Sequence, residues 1–221
     1  MRNDAVELVV TGLALEPAAV RAFASLLSDA ERERASRFAF PRDARRFIVC
    51  RARLRQLLAA RLRMRPESVE LTAGARGKPA LANPRRNGDL RFNLSRRDDI
   101  AVYVLSSGRE VGIDIEAVRM IRDADTIAAR WFARGEHDAY QALDPCERPL
   151  GFFNCWTRKE AFVKALGDGL SYGLDRFEVS LTPGEPAKLL RVENTPGADC
   201  GWSLVSFSPA SGYVAAIAAQ Q

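Results

Sequence analysis

Two stretches of this chain carry the same pattern, and that repetition constrains its fold more than any other feature. Phe92-Asn93-Leu94-Ser95, a turn and the apolar run Ile100 to Leu105 are matched by Leu204-Val205-Ser206-Phe207, a turn and Tyr213 to Ala218. The stretches upstream of each match as well, a short acidic helical pattern preceding a long basic and aromatic one. A chain of 221 residues with this order reads as two similar halves, 1–108 and 109–221, related by approximate twofold symmetry. The fold class expected is α/β (α+β).

Local signals fill in the halves. Val6 to Leu13 is apolar and β-branched, as a strand requires. Ser28 with Glu31 three residues on has capping-box spacing. Phe47, Leu54, Leu57, Leu58 and Leu62 recur at helical intervals and predict a helix over 43–63, ended by Pro66. Gly74, Gly77, Pro79, Pro84 and Gly88 mark a loop-rich section. Strands follow over 90–94 and 100–105, the latter apolar enough to be buried on both faces. In the second half, strands are expected over 111–115, 177–181, 188–192, 202–206 and 213–218. Helices are expected over 123–130, 135–143 and 152–166.

Composition narrows the chemistry. Apolar residues make up 47% of the chain, enough for a packed core. No run approaches the ~18 apolar residues of a membrane helix, so no membrane partner is expected. The start Met1-Arg2-Asn3-Asp4 has no apolar signal core, and the expected location is the cytoplasm. Cys50, Cys146, Cys155 and Cys200 lie far apart and read as reduced thiols. With His137 as the single histidine, a zinc site or a Ser-His-Asp triad has little to build on. The net charge of +5 suits an anionic partner.

Three groups of residues point to phosphate chemistry. In Val111-Gly112-Ile113-Asp114-Ile115-Glu116 the period of a strand puts Asp114 and Glu116 on one face. Two carboxylates side by side repel unless a cation lies between them, and hard oxygen donors suit Mg²⁺, with Mn²⁺ the alternative. Gly112 leaves room for a ligand or a backbone to approach. On the helix after Phe152, Trp156, Glu160 and Lys164 form one stripe at i, i+4 and i+8. Were Glu160 to meet Asp114 and Glu116, three carboxylates would demand a divalent cation, and Lys164 would face the phosphate bound to it. The third group is Gly77-Lys78-Pro79 with Asn93, Ser95, Arg96 and Arg97, where arginine forks fit phosphate oxygens. Arg45, Arg46, Arg53 and Arg55 on the basic helix either bind phosphate or solvate the helix. Basic and aromatic residues are not interleaved as in a stacking platform, so no nucleic-acid partner is expected.

G-I-D-I-E followed some 40 residues later by W-x-x-K-E-A-x-x-K, with G-K-P-x-L and F-N-L-S upstream, resembles the Sfp-type 4′-phosphopantetheinyl transferases over residues 28–180. The resemblance implies two α/β halves with coenzyme A in the cleft between them. It implies Mg²⁺ on Asp114, Glu116 and Glu160, with Glu116 able to act through water. Lys164 would contact the coenzyme A pyrophosphate. Lys78 and Pro79 would lie near the adenine nucleotide, Arg46 at the 3′-phosphate and Ser95 at another phosphate. The family usually has histidine after that serine; here Arg96 stands in its place, a cation at any pH but a longer one. The reaction implied moves 4′-phosphopantetheine from coenzyme A to a serine of an acidic apo acyl- or peptidyl-carrier protein and releases adenosine 3′,5′-bisphosphate. Glu160, or a metal-bound water held by Glu116, would be the base and Lys164 would steady the leaving phosphate. A monomer is expected, since one chain holds both halves. A non-catalytic relative that binds coenzyme A or carrier protein, and a basic nucleic-acid-binding module, are the competing readings.

Overall fold

A computed structural model describes residues 5–73, 79–83, 89–167, 173–193 and 201–221. The first half runs β1 (Glu7–Gly12), α1 (Pro17–Ala24), α2 (Asp29–Ser36), α3 (Pro41–Leu62), a 3₁₀ turn (Pro66–Ser68), β2 (Leu71–Ala73), β3 (Pro79–Leu81), β4 (Leu90–Arg97) and β5 (Ile100–Ser107). The second runs β6 (Val111–Ala117), α4 (Ala124–Trp131), α5 (Arg134–Ala142), α6 (Arg148–Leu166), a 3₁₀ turn (Leu174–Arg176), β7 (Phe177–Val179), β8 (Leu189–Val192), β9 (Trp202–Phe207) and β10 (Tyr213–Gln220). The order is the same in both: a strand, two short helices, a long helix, a 3₁₀ turn, a small strand pair and two further strands.

Sheet topology repeats as well. The strand orders are β1-β5-β4 and β6-β10-β9, each placing the first strand beside the last and the last beside the one before it. β2 pairs with β3 and β7 with β8, both antiparallel. The expectation of two similar α/β halves therefore extends to individual elements. Compactness divides the chain differently. One unit comprises Met1–Val9, Asp89–Arg97 and Val102–Gln221, the other Val10–Gly88 and Asp98–Ala101.

The larger unit is built on α6 and the β6-β10-β9 sheet. Its core gathers Phe132, Tyr140, Phe152, Phe153, Phe162 and Phe177 around small residues of β10 such as Ala216 and Ala218. β5 is buried from Ala101 to Ser106, as its continuous apolar run predicts. In the smaller unit α3 buries Phe47, Val49, Leu54 and Leu58, and Phe47 packs with Leu27, Ala35 and Ala52. The Ser28–Glu31 capping box is present in both directions.

Where structure and expectation differ, the causes are local. α1 carries no capping side chain at Glu16, so only Pro17 in its first turn marks its start. α6 starts at Arg148, ahead of Phe152, because Pro149 sits in the first turn, where a missing N–H is harmless. β2 and β3 fall in the stretch read as loop: three residues each, they are too short for periodicity to register. Arg55 neither binds phosphate nor solvates α3. It is 2% exposed and donates to Glu31 and to the Pro66 and Val69 carbonyls at 2.7, 3.2 and 2.8 Å. Cys50 and Cys155 are buried and Cys146 is exposed, and none of these three is in a disulfide; Cys200 lies outside the described residues. Among the described residues no helix is long and apolar enough to cross a membrane.

Candidate active site

β6 carries Gly112, Asp114 and Glu116 on one face, and Gly112 is what lets α6 lie against it. A Cβ at residue 112 would come within 3.0 Å of the Ala161 carbonyl oxygen and the Ala165 nitrogen, backbone atoms that cannot swing aside. The space left by the glycine is thus filled by helix backbone, one of the two possibilities the sequence leaves open. Gly112→Ala is expected to lower stability by about 2–3 kcal/mol and to lift α6 away from the carboxylates. Thermal unfolding checks it, and an unchanged melting temperature would show that α6 shifts without penalty.

Between Gly151 and Ala165 every residue of α6 is buried except Trp156, Glu160 and Lys164. The stripe read from spacing is therefore the open stripe of an otherwise enclosed helix. Trp156 stacks on Phe152 with ring planes 9° apart. Lys164 Nζ donates to Asp114 Oδ1 at 2.5 Å. Ser95 Oγ donates to the same oxygen at 2.8 Å, and Lys164 reaches Ser95 Oγ at 3.4 Å. Asn93 supports the arrangement: its Oδ1 accepts the Ile113 N–H at 3.1 Å, satisfying a backbone donor of β6 with a side chain from β4.

Electrostatics tie the carboxylates together. Burial pushes Glu160 above the usual carboxylate range; Lys164 opposes this, while Asp114 and Glu116 add to it. Burial likewise raises Glu116, with Arg97 pulling down and Asp114 pushing up. Asp114 is 5% exposed, and its Oδ2 has no hydrogen-bond partner among the described residues. Such an atom normally carries a penalty of about 1–3 kcal/mol, which a bound cation would remove. Among the described residues no three carboxylate, His or Cys side chains stand ready-made around a metal position. Cations of the chain hold them instead: Lys164 on Asp114, and Arg97 and Arg119 on Glu116 at 3.1 and 3.7 Å.

Comparison with known proteins decides what this arrangement belongs to. The description "4′-phosphopantetheinyl transferase superfamily" matches residues 110–218, and "4′-phosphopantetheinyl transferase, N-terminal" matches residues 16–108. The 4′-phosphopantetheinyl transferase HetI of Nostoc sp. is 38% identical over 195 residues, which are 88% of this chain and 79% of HetI. The chain belongs to the 4′-phosphopantetheinyl transferase family. The Sfp transferase of Bacillus subtilis is 30% identical over 72% of this chain and 68% of its own length. The human L-aminoadipate-semialdehyde dehydrogenase-phosphopantetheinyl transferase is 33% identical, and the match spans 69% of this chain and 52% of that protein.

In this family member the larger unit brings together Ser95, Asp114, Glu116, Glu160 and Lys164. Arg46 and Pro79 belong to the smaller unit. Arg46 Nε donates to Asp99 at 2.7 Å, a bond that raises the guanidinium above its ordinary value and lowers Asp99. Pro79 opens β3, paired with Ala73. Lys78 lies outside the described residues. Arg96 is exposed, on the face of β4 opposite Ser95; the residue sharing the Ser95 face is Arg97.

Two functional neighbours escaped the sequence. The sequence offers Arg97 beside Arg96 as a phosphate-gripping fork and does not separate the two, although strand parity from Ser95 singles out Arg97. The other is Lys159, inside the W-x-x-K-E stretch but off its open stripe. It is fully buried, and its Nζ donates to Glu136 Oε1 at 2.7 Å and to the Leu174 and Phe177 carbonyls at 2.6 Å each. Of the two lysines in that stretch, one holds the fold and the other faces the site.

Proposed function

We propose that this chain transfers the 4′-phosphopantetheine arm of coenzyme A to a serine hydroxyl of an apo carrier protein and releases adenosine 3′,5′-bisphosphate. The observation that carries this reading is the cluster of Ser95, Asp114 and Lys164, with Glu116 and Glu160 coupled to it, in a member of this transferase family.

Asp114, Glu116 and Glu160 would hold Mg²⁺, or Mn²⁺ in its place. The all-carboxylate donor set fits such an ion, and so does the unsatisfied Asp114 Oδ2. When bound, the ion supplies positive charge to the pyrophosphate oxygens as negative charge builds on the leaving side. Glu160 is the base. Its carboxylate lies on the open stripe of α6, which is where an incoming serine hydroxyl would hand over its proton. The freed oxygen attacks the phosphorus that bears the pantetheine arm. The bond from that phosphorus to the bridging oxygen breaks, and its electron pair leaves on adenosine 3′,5′-bisphosphate. Lys164 and Ser95 donate to phosphate oxygens, Lys164 exchanging Asp114 for the substrate. Arg46, Lys78 and Pro79 are proposed for the nucleotide and Arg96 for a phosphate approached from solvent. The net charge of +5 favours encounter with an acidic carrier. A cytoplasmic monomer completes the proposal.

The test combines purified protein, coenzyme A, Mg²⁺ and a panel of apo acyl- and peptidyl-carrier proteins. Carrier mass should rise by one phosphopantetheine; binding without mass gain would identify a non-catalytic relative. Arg46→Ala is expected to raise KM for coenzyme A about tenfold with little change in kcat, the loss of one charge-assisted phosphate contact. Coenzyme A lacking its 3′-phosphate serves as control. If the variant loses as much with that substrate, Arg46 does not read the 3′-phosphate.

A further inference from the structure

β4 meets β6 through three side chains at alternate positions. Asn93 takes the Ile113 N–H, Ser95 donates to Asp114, and Arg97 Nη1 lies 3.1 Å from Glu116 Oε2, an ion pair by distance in which that oxygen has no hydrogen-bond partner among the described residues. The period of the strand puts all three on one face, so Arg97 is aimed at Glu116 by the same geometry that aims Ser95 at Asp114. Arg119 also reaches Glu116, at 3.7 Å, but lies three residues on, past the end of β6, and is 47% exposed. Its guanidinium lies over the Phe153 ring at 5.3 Å. Arg97 is the closer partner and the less exposed, at 33%. Lys164, Arg97 and Arg119 give three positive charges against those of Asp114, Glu116 and Glu160. Among the described residues, cations of the chain therefore already face these carboxylates.

We propose that Arg97 is an internal competitor for the metal: its guanidinium occupies Glu116 in the resting protein and must let go before that carboxylate can serve as a ligand. The inference rests on Asp114, Glu116 and Glu160 being the metal's donors. Arg97 sets the metal affinity low and couples it to substrate. Once displaced, the guanidinium no longer neutralises Glu116, and a phosphate group is an anion it can turn to instead. A short neutral residue at position 97 takes the nearer ion-pair partner from Glu116, leaving Arg119 at 3.7 Å and the more distant charge of Lys164, and makes the site a better metal binder before any phosphate arrives.

The experiment is a titration of the full chain with Mn²⁺ at mildly alkaline pH, reading free Mn²⁺ by electron paramagnetic resonance. It compares wild type, Arg97→Ser, Arg97→Gln, Glu116→Gln and the double variant Arg97→Ser with Glu116→Gln. Removing one partly exposed ion pair tightens Kd about fivefold in both Arg97 variants. The gain disappears in the Glu116→Gln background, because nothing is left to release. Arg97→Gln retains length and polarity, so it reports even where serine loosens β4. If Kd is unchanged or weaker in both Arg97 variants while wild type binds Mn²⁺ through Glu116, the competitor role is overturned and the metal site stands. If the gain persists without Glu116, Arg97 acts only as a distant positive charge and the proposal is also wrong. Absence of Mn²⁺ binding from every variant overturns the donor assignment and this inference together.

Discussion

Lys159→Met is expected to lower folding stability by about 3–5 kcal/mol, the usual result of removing one partner of a buried ion pair. Lys159 has no exposed surface, and its three donors go to Glu136 and to two backbone carbonyls at the 3₁₀ turn leading into β7. Glu136 in turn accepts the Ala133 N–H at the start of α5 and the Val179 N–H of β7, at 2.8 and 2.7 Å. One pair thus fastens α5, α6 and β7. Without the lysine, Glu136 is a buried carboxylate left with two amides and the Cys155 thiol among the described residues.

The sign of the pH dependence follows. Burial already raises Glu136 above the ordinary carboxylate value, and Lys159 is the largest influence opposing that rise. Deleting Lys159 raises it further. A carboxyl whose folded value exceeds its unfolded one contributes stability below the unfolded value and loses it as pH climbs through the folded value. The Lys159→Met deficit therefore grows from acid toward neutral pH. Chemical denaturation across that range measures it, and a deficit that shrinks with rising pH would contradict the account. Adding Glu136→Gln to Lys159→Met should recover part of the loss, because the stranded charge is gone.

Glu160→Gln is expected to reduce transfer about 10²–10⁴-fold, the range for losing a general base. Stability should move the other way or stay level. In the metal-free protein Glu160 sits with its charge disfavoured by burial and by Asp114 and Glu116, so an uncharged isostere relieves repulsion. Single-turnover transfer to an apo carrier, together with melting in the presence of a chelator, separates the two effects. A variant as fast as wild type removes Glu160 from the mechanism. A variant that is slow but also much less stable would assign the loss to folding.

The contrast between these two residues, neighbours in sequence, shows how far spacing alone reaches. The i, i+4, i+8 relation of Trp156, Glu160 and Lys164 was legible because a helix turns through a fixed angle, and the structure leaves those three positions open on a buried helix. The alternation of Asp114 and Glu116 was legible for the same reason on a strand, as was the order of elements shared by the halves. The short strands β2 and β3 and the uncapped start of α1 were not, since neither period nor capping chemistry marks them.

Sequence by itself determined the family, the repeated element order and the acidic and basic residues available to the site, because these follow from residue identity and local periodicity. Tertiary structure decided their partners. Gly112 was a gap in a strand until the backbone of α6 filled it. Arg55 reads from the sequence as a phosphate ligand or a solvating cation and Lys159 only as a letter of a motif; packing surrounds each with carbonyls and a carboxylate. Arg97 was a second arginine until β4 lay against β6 and set it on Glu116. Pairing across long stretches of chain depends on which faces pack, and no local pattern encodes that. The physical reason is that a charge is cheap in water and costly in a core, so its role is fixed only when packing decides what surrounds it.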